Sequence, residues 1–385
     1  MSIKVLRTSH AYADAWVAFD EQEGFDYYYG GTRMVEPDMG ETEVLEVLCR
    51  LMSEESAFKN RIINIALADG ALSAHSERMP AGFRGSKVGG ARCIIRPRDE
   101  EVFRIFQDPQ HSEFESTISQ VFQEIGELLN DHGGAVKLTP DFGRFAGLAD
   151  ILARFTPHVL GIRCEDGGCG GKSSYAATGI ITALEKLGAS DYRRKPVTLI
   201  GSAGALGSDI TKYFLSHGFE DVAVCDLAYD SQQADAPARL KTLPSQVKVL
   251  TNRCLERGGM IIATTYGGEL ANSDHEVIPP GSLLVLAHNL SVPQGETGVS
   301  LMREIASRGV TAVPGQLLTF GGALTSRLEW FWRQSKASQP FDKVLAHTIV
   351  REVMEFLLTE TERLRAFLNV TPYEALLHLA RERAA

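Results

Sequence analysis

The chain has 385 residues and a mass of 42.1 kDa, a length that accommodates two domains with separate cores. Its composition, 44% hydrophobic, 23% charged and 8% aromatic, is that of a folded globular protein and excludes a disordered or low-complexity scaffold. With 39 Lys and Arg against 49 Asp and Glu the net charge is −10, which argues against nucleic-acid and acidic-membrane partners, since both are held by clustered cations.

The opening residues, MSIKVLRTSHAYADAW, lack the apolar core of a signal peptide, and no run approaches the roughly 18 apolar residues of a membrane span. The six cysteines (Cys49, Cys93, Cys164, Cys169, Cys225 and Cys254) are scattered and read as reduced, mostly buried thiols. A cytoplasmic protein is expected. In chain order, the first block, residues 1–160, should hold a long helix from Glu43, a glycine-rich loop over Gly82–Gly90, a strand at Cys93–Ile95 and helices through Val102–Leu129. Next, Asp166–Ser173 (DGGCGGKS) follows an apolar run and imitates a phosphate-cradling loop. Asp166 stands where the first glycine belongs and would repel a phosphate, so a nucleoside triphosphatase is the lesser reading. Cys164 and Cys169 lack zinc-pair spacing and no histidine cluster completes a site, so no metal is expected.

The strongest local signal runs from Pro196 to Leu227. Val197–Ile200 has the apolar run of a buried parallel strand; Gly201, Gly204 and Gly207 punctuate a turn; Ile210, Phe214 and Leu215 recur at helical spacing; and Val222–Cys225 is a second strand ending in Asp226. Each part has a task in binding a dinucleotide. Glycines let the backbone of Gly201, Ser202, Ala203, Gly204, Ala205, Leu206 and Gly207 approach a pyrophosphate, the helix amino terminus offers amides, and the acid accepts ribose hydroxyls. Asp226 lies 25 residues after Gly201, and Leu227 rather than an arginine follows it, which favours NAD over NADP. Further strands at Met260–Thr264, Ser282–Ala287 and Gly309–Pro314 extend a doubly wound domain over residues 161–326. The stretch Leu328–Leu364 reads as helix throughout, and residues 327–385 as C-terminal helices packing back on the first domain, with Trp330, Phe331 and Trp332 as core or subunit contact.

Four segments in order resemble the glutamate/leucine/phenylalanine/valine dehydrogenase superfamily, most closely its leucine-dehydrogenase-like branch: Gly30–Met34 (GGTRM), Val88–Ile95 (VGGARCII), Lys137–Gly143 (KLTPDFG), and the nucleotide fold closing with Pro314–Gly322 (PGQLLTFGG). The resemblance implies an α/β chain of two domains, a substrate domain and a Rossmann NAD-binding domain. The implied reaction is hydride transfer between nicotinamide C4 and the α-carbon of an amino acid or its 2-oxo or imino acid. It further implies an active site in the cleft between the domains and a homo-oligomer. Asp141 falls at the proton-shuttling aspartate, and His288 and Asn289 are expected among the cofactor-binding residues. Gly30, Gly31 and Met34 fall in the substrate loop. Arg92 stands where the family has its catalytic lysine; an arginine stays protonated and cannot cycle as a base, so Arg92 or Lys87 takes that role. The carboxylate-binding position is Lys59 in one register and His75 in another. Thr319 replaces an asparagine and Ala176 a threonine near the nicotinamide, which suggests a reshaped pocket. A relative acting on an imine, ketone or biosynthetic intermediate, or a non-catalytic NAD-binding protein, is the alternative.

Overall fold

The structure is a computed structural model that describes residues 2–72, 77–142, 145, 147–230, 232–233, 236–265, 270–336 and 339–382. The chain divides into two compact units: Met1–Lys172 with Ala323–Ala346, and Ser173–Gly322 with His347–Ala385. The first boundary thus falls at Lys172 rather than at residue 160. The terminal helices are also divided, because residues such as Tyr373 are buried in the core of the second unit.

In the first unit, β1 (Ile3–Ser9) and β2 (Ala13–Asp20) form an antiparallel hairpin. Next come β3 (Tyr27–Met34), α1 (Glu41–Arg50), a π-helix over Leu51–Ala57, and α2 (Phe58–Ala68). Then follow β4 (Val88–Pro97), α3 (Glu100–Gln107), α4 (Phe114–Asp131), β5 (Val136–Pro140) and α5 (Leu148–Leu152). The strands form one mixed sheet in the order β1-β2-β4-β3-β5, with β3 parallel to both β4 and β5. Alternation along the strands separates two faces. Ala91, Cys93, Ile95, Val136 and Leu138 pack on α3, α4 and α5 in a large apolar core. The other face carries Tyr27 and Tyr29 from β3, Arg92 from β4, and Lys137 and Thr139 from β5, which the register sets side by side.

The second unit begins with α6 (Ser173–Lys186). It continues through β6 (Val197–Ile200), α7 (Ala205–Ser216), β7 (Val222–Cys225), α8 (Ala236–Thr242), β8 (Lys248–Leu250), β9 (Met260–Ala263), β10 (Leu283–Leu286), α9 (Glu296–Ser307), β11 (Thr311–Val313) and α10 (Gly315–Leu318). The strands are all parallel in the order β8-β7-β6-β9-β10-β11. From the first strand, β6, two strands run outward to one side and three to the other, the doubly wound arrangement of dinucleotide-binding folds. The expected strands β6, β7, β9, β10 and β11 are present; β8 and the β1–β2 hairpin were not anticipated.

The C-terminal helices are α11 (Gly321–Ser335), α12 (Lys343–Leu368) and α13 (Pro372–Glu382), so the stretch Leu328–Leu364, expected as helix throughout, is interrupted between α11 and α12. The break before α12 has a local cause, since the Asp342 carboxylate accepts the Leu345 amide and starts a new helix after Pro340. Trp332 is buried against Phe341, as a core aromatic. One cysteine expectation is corrected: Cys225 and Cys254 are paired as a disulfide, because the end of β7 and the segment after β8 bring them together, while Cys49, Cys93, Cys164 and Cys169 are free thiols.

Candidate active site

The polar face of the first unit's sheet gathers charges from distant parts of the sequence. The π-helix packs against β3 and β4 at glycines. A Cβ at Gly90 would lie 2.5 Å from the Ala57 amide nitrogen, and one at Gly30 would collide with the Ala91 carbonyl and approach Ser56. This close approach sets Glu55 and Lys59 over Arg92. Glu55 Oε1 accepts from Lys59 Nζ and from Arg92 Nη1, each at 3.3 Å, and all three side chains are buried. Burial would raise the Glu55 carboxyl, but the two cations outweigh it and hold it below its ordinary range. Burial pushes Lys59 down, against the pull of Glu55. The next residue, Asn60, fixes the helix to the sheet by donating to the Tyr29 and Gly89 carbonyls at 3.0 and 2.9 Å.

Asp141 follows β5. Its Oδ1 accepts the Thr32 amide at 2.9 Å, and its carboxylate fills the space a side chain at Gly31 would need, the added Cβ falling 2.7 Å from Oδ2. Facing it is Lys172, with Nζ 3.7 Å from Asp141 Oδ2. Burial disfavours the Lys172 charge, yet Tyr29, whose hydroxyl it also meets, and Asp141 outweigh that and raise it above the ordinary lysine range. Tyr29 donates to Ser326 Oγ at 2.8 Å and meets Thr139 Oγ1 at 3.0 Å. The loop carrying Lys172 is anchored from α11, where the buried Glu329 carboxylate accepts the amides of Gly161 at 2.8 Å and Cys169 at 3.0 Å. Lys172 was read as the lysine of an imitation phosphate loop; its partners are instead a carboxylate and a phenol.

Of the expected substrate residues, Lys59, Arg92 and Asp141 therefore share one face. Gly30 and Gly31 serve it by close approach. Met34 lies on the opposite face, packed on the apolar core, so the one-residue alternation of β3 removes it from the site. Lys87 is also corrected: it is exposed, its backbone exchanges hydrogen bonds with Asp26, and five residues, about 16 Å of strand, separate it from Arg92. His75 lies outside the described residues. The residues missed from sequence were Glu55, Tyr29, Ser326 and the role of Lys172. The only sequence signal for Glu55 was its spacing of four from Lys59 on one helical face.

In the second unit, Gly201 has φ +84°, and a Cβ at Gly207 would collide with the Gly201 carbonyl, so both glycines are required by the turn from β6 into α7. Gly204 caps α7 without a side-chain bond, leaving the helix amino terminus to a ligand. Asp226 at the end of β7 accepts the Ala203 amide at 2.8 Å and the Ala228 amide at 2.9 Å, which ties the acid to the glycine turn. Ser202 bonds Tyr229, and Leu227 exposes 83% of its surface beside Asp226, an apolar face suited to a purine. These features fit a dinucleotide. Ala205 and Leu206 open α7. His288, buried after β10, meets the Asn289 carbonyl through Nδ1, and the Thr319 hydroxyl donates to the Gly315 carbonyl.

Among the described residues no group of three His, Cys, Asp or Glu side chains is arranged to hold a metal, and no helix is long and apolar enough to cross a membrane. The chain matches no protein-family model, and a search of curated proteins finds no significant sequence relative. Solved structures do match over nearly the whole chain. L-tryptophan dehydrogenase from Nostoc punctiforme aligns with a TM-score of 0.61 at 15% identity, covering 99% of this chain and 95% of that one. A hetero-hexameric glutamate dehydrogenase from Thermus thermophilus gives 0.68 at 16%, covering 99% and 88%. Glutamate dehydrogenase from Peptoniphilus asaccharolyticus gives 0.63 at 15%, covering 98% and 88%. At these identities the likeness is one of fold: the chain has the two-domain α/β fold found in amino-acid dehydrogenases.

Proposed function

We propose that this protein is an NAD-dependent oxidoreductase of the amino-acid dehydrogenase type, interconverting an amino acid and its 2-oxo acid with ammonia. The observation that carries this reading is the meeting of Lys59, Arg92, Lys172 and Asp141 on one sheet face of a chain with that fold. Gly201, Gly204, Gly207 and Asp226 would hold a nicotinamide dinucleotide, which when bound would supply the hydride-transfer chemistry at the substrate's α-carbon. Lys59 and Arg92 hold the substrate carboxylate, the arginine as a permanent cation that never cycles. Lys172 does the work expected of a lysine at position 92: its ammonium, kept protonated by Asp141 and Tyr29, polarises the carbonyl or imine. Asp141 takes a proton from the attacking nitrogen and returns one to the departing oxygen. Tyr29, Thr139 and Ser326 position Lys172. A homo-oligomer belongs to the same reading.

The test is loss of NADH absorbance with ammonia and a panel of branched, aromatic and acidic 2-oxo acids, repeated with NADPH. Turnover of one 2-oxo acid with NADH is the expected result. NADH binding without turnover on any member would overturn the dehydrogenase reading in favour of a relative acting on another carbonyl or imine, and absence of NADH binding would overturn the cofactor.

A further inference from the structure

The acid of the glycine turn has a covalent neighbour. Cys225, the last residue of β7, immediately precedes Asp226 and is bonded to Cys254, 29 positions further along the chain. Cys225 and Asp226 both bond to the turn: the Cys225 carbonyl accepts the Gly201 amide at 2.8 Å, and the Asp226 carboxylate accepts the Ala203 amide at 2.8 Å. Cys254 follows Arg253, whose φ of +53° lies in the left-handed region that such a side chain keeps only where its surroundings hold it. The chain on either side is fastened independently. Leu250 pairs with Cys225 in the sheet, and the Arg257 guanidinium bonds the Asp221 carboxylate at 2.8 Å and the Val197 carbonyl at 3.2 Å. Between those points the disulfide draws the loop against the end of β7. Cys225 is half-buried rather than buried, within reach of a small thiol in solvent.

We propose that Cys225 and Cys254 form a reversible thiol–disulfide switch that sets the affinity of the adenosine half-site, tight when the bond is closed and loose when it is open. This rests on the dinucleotide reading above. Closed, the bond limits the positions open to the end of β7 and to the loop beside it, so Asp226 meets a ribose already in place. Open, the ligand must supply that ordering itself, which weakens its binding. The co-reactant is a small dithiol and its disulfide form. A dithiol thiolate attacks Cys225 Sγ and displaces Cys254 as a thiolate; the reagent's second thiolate then attacks the reagent sulfur of the mixed disulfide and displaces Cys225. Two electrons and two protons pass to the cysteines, and the reagent leaves as a disulfide. Closure is the reverse.

In the experiment, the full chain is equilibrated with mixtures of reduced and oxidised dithiothreitol, and its thiols are counted by alkylation after denaturation, six in the open form and four in the closed. Fluorescence titration then gives the affinity for NADH, and calorimetry that for ADP-ribose, which carries the adenosine half without the nicotinamide. Opening the pair is expected to weaken both ligands by the same factor, about fivefold or more, and closing it again should restore both. Cys254→Ser should bind both ligands like the open wild type and ignore the mixture; the wild type alone decides should that variant fail to fold. A thiol count that does not change with the mixture, equal affinity in the two forms, tighter binding in the open form, or a loss confined to NADH would overturn the switch, while NADH binding itself leaves the cofactor reading standing. Binding of neither ligand in either form would overturn the cofactor reading and the switch with it, so the two failures are distinguishable.

Discussion

The two sheets of this molecule carry their chemistry in different ways. In the parallel sheet of the second unit, the glycine turn after β6, the amino terminus of α7 and Asp226 are set out in one continuous stretch of about thirty residues. The work there is done by backbone amides, and the side chains mostly stay out of the way. In the mixed sheet of the first unit, the working groups are side chains from β3, the π-helix, α2, β4, the end of β5, the loop before α6, and α11. A backbone site tolerates sequence drift as long as its glycines remain. A side-chain site can exchange one lysine for another from a different segment, the exchange proposed above for Lys172 and the lysine expected at position 92.

The sharpest way to break that comparison is to remove the relocated lysine. Lys172→Met should lower kcat by about 10³-fold or more while NADH affinity, read by fluorescence titration, changes less than about twofold. Lys87→Ala, exposed and distant, should leave kcat within about twofold. Equal losses in the two variants would return the role to the strand register. Asp141→Asn comes next, with kcat down about 10²- to 10³-fold, the range expected for loss of a proton-transfer group, again with nucleotide binding intact. The complementary change in the other unit is Gly207→Ala. Its Cβ has no room beside the Gly201 carbonyl, so stability should fall by about 1–3 kcal/mol and NADH affinity should weaken, as read by thermal melts and titration. If NADH still binds as tightly, the turn is not held by its glycines.

The smallest expected effect concerns Lys137, which shares the polar face of the mixed sheet but sits outside the charged cluster. Burial, with Arg333 adding to it, pushes its pKa down to about 8 from 10.5. Between those values the unfolded chain holds a proton that the folded chain has lost, so stability rises with pH through that window, and the full burden lies below pH 8. The Trp330 ring, 4.1 Å from Nζ, offsets part of this. Lys137→Met should therefore stabilise the protein at pH 7 by about 1 kcal/mol and flatten the rise in melting temperature at alkaline pH. A lower melting temperature at pH 7 would mean that the ring contact outweighs burial.

The same contrast explains what could be read from the residues beforehand. Strands β6, β7, β9 and β10 are short apolar runs between turn signals, and the glycine spacing announces the dinucleotide turn, because there local pattern and tertiary role coincide. Asp141 was singled out through its neighbours Pro140 and Phe142. Lys172, Glu55 and Tyr29 were not, because no local rule states that residues 29, 55, 141 and 172 will meet; sheet register and the anchoring of a loop by Glu329 decide it. Lys87 and Met34 failed for related reasons. A strand carries a side chain about 3.3 Å per residue and reverses its face at each step, so a nearby motif position can still lie out of reach.

The π-helix over Leu51–Ala57 has a consequence for how such a site arises and changes. A π turn holds one residue more than the α turn it replaces. Losing one residue from this stretch would return it to an α turn, which absorbs the change locally and leaves the helix on either side facing as before. The segment that sets Glu55 over Arg92 is thus a place where the chain can shorten by a single codon with only the turn itself re-spaced.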